Sequence, residues 1–498
     1  MTDPAIRQPG ANDVAGLSLR ELVQAIRART LSCREVMGAY LARIAEVNPV
    51  HNAIVAMRAE DELLAEADRH DALIAQGRWL GVLHGVPQAI KDLAHSKGMV
   101  TSYGSRILRD FVPAADSLFV ERMRAAGAIF VGKTNTPEFG LGSQTYNDVY
   151  GVTRNAFDPA LTAGGSSGGA AVAVALGMLA AADGSDMMGS LRNPAAFNRV
   201  VGLRPSRGRV PSWPAIDQFI AQLGTAGPMA RNSRDCALLL SVQAGYDVRD
   251  PLSIDTDNPA FAALAAAPAA AEAARGKRIA WLGDLGGHLA TQDGVLARCE
   301  DGLRRLEGLG CRVEAPGPAA LGVAPADLWE CWLTLRTIAA APPLFGHAGA
   351  DGRRALMKPE ALWEAERGLA MSASAVARAS QVRTTFYHAW LRLFQRFDYL
   401  VLPAAQVFPF DAHLSWPAEI AGRPMDTYHR WMEVVIYPTL TGSPAISVPV
   451  PLARPAGAGR GGDSDSRIAV TDLMGIQIVG APRDDLGVLA LAAAYEAA

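Results

Sequence analysis

The sequence predicts an α/β fold, and three observations carry that expectation. From about Leu80 to Pro205 short apolar runs such as Ile129-Phe130-Val131 alternate with glycine turns and helical stretches. The chain has 498 residues, half of them hydrophobic, enough for two or three ordinary domains or one large α/β domain with insertions. No internal repeat is visible.

The elements follow in order. Ser18-Leu19-Arg20-Glu21 and Ser32-Cys33-Arg34-Glu35 have capping-box spacing, with Ser at the N-cap and Glu three residues on. Apolar residues then recur at helical intervals: Leu22 and Ile26 in the first, Val36, Tyr40 and Ile44 in the second. Residues 170–182 form an alanine-rich stretch that reads as a buried helix. Residues 258–276, rich in Ala and Pro, read as a surface connection or loosely packed helix. Lys277 to Leu282 reads as a strand, Asp293 to Gly308 as a helix, and the region of Cys311 to Val313 as a second strand. Residues 325–395 are expected to be mostly helical, an insertion holding Trp329, Trp332, Trp363, Phe386, Tyr387 and Trp390. Asp398 to Pro403 is a buried strand, and Ala453 to Arg467, rich in Gly, Ser, Asp and Arg, a mobile loop.

Charge narrows the partners. The net charge is −3 and no dense Lys/Arg block appears, which argues against a nucleic-acid surface. No segment approaches the ~20 apolar residues that span a membrane. Met1 to Asn12 is polar and lacks the apolar core of a signal peptide. The five cysteines, Cys33, Cys236, Cys299, Cys311 and Cys331, are scattered and odd in number, which fits a reducing cytoplasm. There is no His-Glu-x-x-His and no Cys-x-x-Cys, so no metal site is expected, and the reading needs no cofactor.

The chemistry-bearing residues are one lysine and two serines, each bounded by glycine. Lys91 lies in Gly85-Val86-Pro87-Gln88-Ala89-Ile90-Lys91-Asp92, Ser166 in Gly164-Gly165-Ser166-Ser167-Gly168-Gly169, and Ser190 in Asp186-Met187-Met188-Gly189-Ser190. A serine hydroxyl needs a base within hydrogen-bond reach, and a lysine held neutral by burial can be that base. Taken singly, each has a plain reading: a surface lysine at a strand end, or a flexible glycine linker. A phosphate-binding loop would need Gly-Lys-Ser/Thr, which is missing. Gly165-Ser166-Ser167-Gly168-Gly169 also matches a nucleophile elbow with Ser167 at its tip. That elbow requires a preceding strand and a downstream histidine such as His413 or His429, whereas Asn155 to Pro159 reads as a turn.

Together these motifs resemble the amidase-signature family of serine hydrolases. Gly132-Lys133-Thr134-Asn135-Thr136-Pro137-Glu138-Phe139, Arg192-Asn193-Pro194-Ala195-Ala196-Phe197, Gly202-Leu203-Arg204-Pro205 and Thr441 to Pro449 match as well. The likeness is strongest over residues 80–210 and covers most of the chain. It implies a single amidase-signature domain over 1–498, with a mixed central β-sheet surrounded by helices. It also implies roles. Ser190 would be the nucleophile and Lys91 the base. Ser166, held by a cis peptide, would bridge them. Backbone N–H groups of Met187, Met188 and Gly189 would form an oxyanion hole, and Gly140 would contact substrate. The family has two glycines before the nucleophile where this chain has Met188 and Gly189; a position needing positive φ would penalise Met188.

The resemblance implies a hydrolase of small amides or carbamates. The methionine pair and the aromatic-rich insertion point to aryl or apolar substrates, as in the urethanase branch of the family. Two alternatives stand beside it: the amidase component of a tRNA-dependent amidotransferase, and a catalytically silent binding protein.

Overall fold

Two serine capping boxes open the chain. In the computed structural model, which describes residues 13–220, 222–350, 352–453 and 468–498, Ser18 and Ser32 each accept from the N3 amide while Glu21 and Glu35 reach back to the cap. Helices α1 (Leu19–Arg27) and α2 (Cys33–His51) follow. Their expected apolar stripes, Leu22 and Ile26, then Val36, Tyr40 and Ile44, are buried.

Besides two two-stranded ribbons, the strands form a large sheet and a small one. The small sheet joins β1 (Ile54–Val55), β3 (Ile129–Thr134) and β2 (Pro87–Lys91) in that order, with β2 parallel to β3. The large one has eight strands: β4 (Ala181–Asp186), β5 (Val201–Arg204), β6 (Thr225–Ala230), β7 (Arg278–Trp281), β8 (Arg312–Glu314), β9 (Tyr399–Pro403), β10 (Ala445–Pro449) and β11 (Gly475–Val479). It is mixed: β9 runs parallel to β7 and antiparallel to β11. This is the single large α/β domain that was expected. Strands β2 and β4 are the facing edges of the two sheets.

Two expectations change. Residues 170–182 are not one helix. Helix α3 (Gly168–Ala175) stops, Gly177 turns the chain at φ +72°, and Ala181 opens β4. Both elements are almost wholly buried, so their apolar runs carry no periodicity to tell helix from strand. In the 258–276 stretch Asn258–Ala266 is a helix capped by Asp257 that buries only Phe261 and Ala265, and most of residues 267–276 are exposed, in keeping with a loosely packed helix and surface connection. The insertion is helical as expected, but Trp329, Trp332, Phe386 and Trp390 belong to the main core. The proposed mobile loop from residue 454 and the chain's first twelve residues lie outside the described residues.

Among the described residues no helix is long and apolar enough to cross a membrane, and no group of His, Cys, Asp and Glu is placed to hold a metal ion. All five cysteines are free and buried.

Candidate active site

Lys91 is the last residue of β2, a strand buried at every position. Gly85 sets the strand's entry: its φ is +77°, and a Cβ there would lie 2.3 Å from Cys33 Sγ. At the strand's end the lysine Nζ lies 2.8 Å from Ser166 Oγ, 2.8 Å from Ser167 Oγ and 3.1 Å from Ser185 Oγ. Burial pushes its pKa down to about 7 against the opposing pull of Asp183 and Asp186. A neutral amine keeps two N–H groups and one lone pair, so three hydroxyl neighbours fit it: two accept and one donates.

The glycine-rich hexapeptide is held from outside. The Gly165–Ser166 peptide is cis, as the resemblance implied. Ser143 Oγ donates to Gly165 O and Thr145 Oγ1 to Gly164 O. Residues 163–167 are irregular and lead directly into α3. Ser167 is therefore not preceded by a strand. It is fully buried, His413 is exposed, and His429 packs among Trp329, Trp363 and Tyr428. The elbow reading has no support in this geometry.

The third segment turns on Asp186, at the end of β4. Its carboxylate accepts from the N–H groups of Gly189 and Leu191, from Arg192 through Nε and Nη2, and from Arg204. All three charged side chains are buried, and the two arginines hold Asp186 well below the usual carboxylate range. This clamp folds residues 186–191 into a tight loop that presents Ser190. Gly189 carries the positive φ (+76°), and Val435 fills the space its side chain would need. Met188 is not among the residues with positive φ, so the backbone penalty does not arise.

One expected donor is spent. The Gly189 N–H goes to Asp186 Oδ1 at 2.9 Å, an intraloop bond that spacing does not reveal. The N–H groups that remain for an oxyanion are those of Met187, Met188 and Ser190, which have no protein acceptor among the described hydrogen bonds.

Ser166, Ser185, Ser190, Met187, Met188 and Gly140 line a cavity of about 270 Å³. Gly140 is placed beside Ser166: its φ is +71°, and a Cβ there would stand 3.6 Å from Ser166 Oγ and 2.6 Å from Leu93 Cδ1. A further part of the wall comes from helices α4 (Pro325–Ala340) and α5 (Pro342–Ala348), through Arg336, Ala339, Ala340, Pro343 and Leu344. The insertion thus lines the site with small and aliphatic residues. The aromatic rings at the cavity are Tyr103 and Phe139.

Sequence reasoning missed four residues. Asp186 was detectable, since it opens the very segment that ends on Ser190. Ser185 and Asp183 precede it on β4. Arg336 carried no signal, standing near tryptophans on a helix. Its Nε donates to Glu364 at 2.8 Å, one Nη to Tyr428 OH at 2.6 Å, and the other reaches Met187 Sδ at 3.6 Å.

The amidase family model matches residues 35–489. The chain belongs to the amidase-signature family. An acylamidase of Rhodococcus erythropolis is 33% identical over 484 residues, covering 97% of this chain and 95% of that protein. A glutamyl-tRNA(Gln) amidotransferase component from Thermosynechococcus vestitus is 33% identical over 466 residues, 86% of this chain and 90% of that one. The crystal structure of a bacterial aryl acylamidase of the same family superposes with a TM-score of 0.84 at 29% identity, covering 97% and 96% of the two chains. This amidase is accordingly a hydrolase of amides other than peptide bonds, which removes the silent binding protein from consideration.

Proposed function

We propose that this amidase cleaves amides and carbamates of small aryl or apolar substrates through Ser190, Ser166 and Lys91, by way of an acyl-enzyme. The observation that carries the reading is the buried Lys91 Nζ, 2.8 Å from Ser166 Oγ, at a cavity that Ser190 also lines.

Ser190 Oγ attacks the carbonyl carbon. Its proton passes to Ser166 Oγ as the Ser166 proton passes to the lone pair of Lys91. The oxyanion meets the free N–H groups of Met187, Met188 and Ser190. When the tetrahedral species collapses, the C–N or C–O bond breaks and the leaving group takes the proton back along the same chain. Water, deprotonated by the same relay, then adds to the acyl-enzyme and frees Ser190. A carbamic or carbonic acid product loses CO₂.

The cavity wall suits apolar groups, with one polar exception. Arg336 is neutralised by Glu364, so it offers a hydrogen bond without a net charge. That arrangement favours a neutral acceptor on the substrate, such as an ester or ether oxygen, over a carboxylate. The five buried free cysteines support a cytoplasmic setting.

Intact-mass analysis after a fluorophosphonate or sulfonyl fluoride, with peptide mapping, is expected to find one adduct on Ser190. An adduct on Ser167 overturns the assignment. Across a matched set of an aryl carbamate, an anilide and malonamate, kcat/KM is expected to be lowest for malonamate; a clear preference for it refutes the apolar-pocket reading. The amidotransferase relative motivates the second reading, which glutamine-dependent activity seen only with added partner proteins would support.

A further inference from the structure

The two sheets meet along β2 and β4, and this seam runs through the active site. β2 carries Lys91, and β4 leads into the loop that presents Ser190. Two side chains bridge the facing edges. Gln88 Nε2 donates to Ala181 O at 3.1 Å, and the Lys91 backbone N–H is shared by Asp183 Oδ1 and Oδ2 at 3.3 and 3.2 Å. Asp183 is wholly buried. On its other side it pairs with Pro228 of β6.

We propose that Asp183 is a positioning residue for Lys91: its carboxylate supplies the bond across the seam that fixes the lysine against Ser166 and the Ser190 loop. The inference rests on Lys91 being the base. A backbone carbonyl could have taken the same N–H without charge, and a buried carboxylate is a costly choice unless something faces it. What faces it are lysines. Lys133, on β3, lies within electrostatic reach of Asp183, and its own Nζ is held by Ala94 O, Ser96 and Thr101. Lys91 feels Asp183 and Asp186 from β4 and the three hydroxyls of Ser166, Ser167 and Ser185; Lys133 feels Asp92 and Asp116 besides Asp183.

The charge has a second effect. Burial pushes the Asp183 carboxyl up and the Lys91 amine down, and the charge of each opposes that shift in the other. An ionised Asp183 favours the ammonium form of Lys91 and a protonated one favours the neutral amine. Removing the charge therefore lowers the pKa of Lys91. Activity requires the neutral amine, so the acid limb of the kcat profile moves to lower pH.

The test compares wild type, Asp183→Asn, Asp183→Ala and Lys91→Ala, with kcat and KM for one anilide from about pH 5 to 9.5 and thermal melts alongside. Asparagine keeps an oxygen for the Lys91 N–H and loses the charge. Its plateau is expected within about threefold of wild type and its acid limb about one pH unit lower. Alanine loses the acceptor as well; its plateau kcat is expected to fall tenfold or more with KM little changed, as misplacement of a base requires. A limb that stays in place in a folded Asp183→Asn protein overturns the inference, as does an equal plateau for the two variants. If Asp183→Ala does not fold, the Asn limb decides alone. Full activity in Lys91→Ala would instead defeat the base assignment itself, so the two failures are distinguishable.

Discussion

The seam at Lys91 and the helical wall at Arg336 meet at one cavity and are built by opposite means. At the seam, buried polar groups stand close together and each is tied: Asp186 by two arginines, Lys91 by three serines, the cis-linked Ser166 by neighbours that hold Gly164 and Gly165. The wall is mostly aliphatic. It has a small core of its own, in which Leu344 packs with Leu141, Met357, Ala361 and Ala365 apart from the main core. Geometry at the seam is fixed by many buried polar ties, whereas the wall is fixed by apolar packing, α4 in the main core through Trp329 and Trp332 and α5 in the small cluster around Leu344. Reaction chemistry and substrate choice should therefore respond to different substitutions.

The largest expected effect is at the seam. Lys91→Ala should lower kcat by ~10²–10⁴ or more, because the relay acts as a unit, and should leave the fold intact. In wild type, activity should rise with pH through about 7 as Lys91 becomes neutral and be lost on acidification. Stopped assays with an anilide measure both; an unchanged kcat in the folded variant breaks the comparison at its root.

Asp186→Ala tests the seam's rigidity through stability. It would strand Arg192 and Arg204 without their shared carboxylate, at a cost of about 3–5 kcal/mol in urea unfolding. The sign with pH follows from the depressed folded-state pKa. The Asp186 contribution is fully present above the unfolded value, about 4, and is lost as pH falls from there through the folded value. The variant should thus lose part of the wild-type protein's steepness in acid unfolding.

At the wall, Leu344→Ala should cost no more than about 2–3 kcal/mol of stability, since one side of the residue already faces the cavity. It should shift kcat/KM toward bulkier aryl substrates by roughly tenfold relative to acetanilide. A uniform loss across all substrates would show that the wall shapes the reacting geometry too, and the division between the two regions would fail.

The smallest effect is expected at Gly140, where wall and seam touch. Alanine there must adopt a positive φ, which costs about 1 kcal/mol, and must displace the flexible tip of Leu93. A several-fold loss in kcat/KM with a melting shift of a few degrees is the expected outcome.

The contrast also explains what could be read in advance. Lys91, Ser166 and Ser190 were visible because each sits in a glycine-bounded segment whose backbone needs are local: Gly85 and Gly189 occupy positive-φ positions that a side chain could not share. Capping boxes at Ser18 and Ser32 were visible for the same reason, being bonds between residues three apart. The break between α3 and β4 was not, because both elements are buried on nearly all sides and alanine suits either. The wall was misread in part. An apolar helix shows which residues are hidden, not what hides them. Trp329, Trp332 and Trp390 fill the core, while Ala339, Ala340 and Leu344 face the cavity.

The sequence by itself determined the α/β class, through short apolar runs alternating with glycine turns, and its motifs, by their likeness to a known family, pointed to that family and to the three residues proposed for the relay. Only the tertiary structure decided that Gly189 spends its N–H on Asp186, that Asp183 closes the seam beside Lys91, and that Arg336 reaches the cavity with Glu364 at its back. Those are encounters between segments far apart along the chain or bonds fixed by a particular backbone path, and no local rule specifies them before the chain has folded.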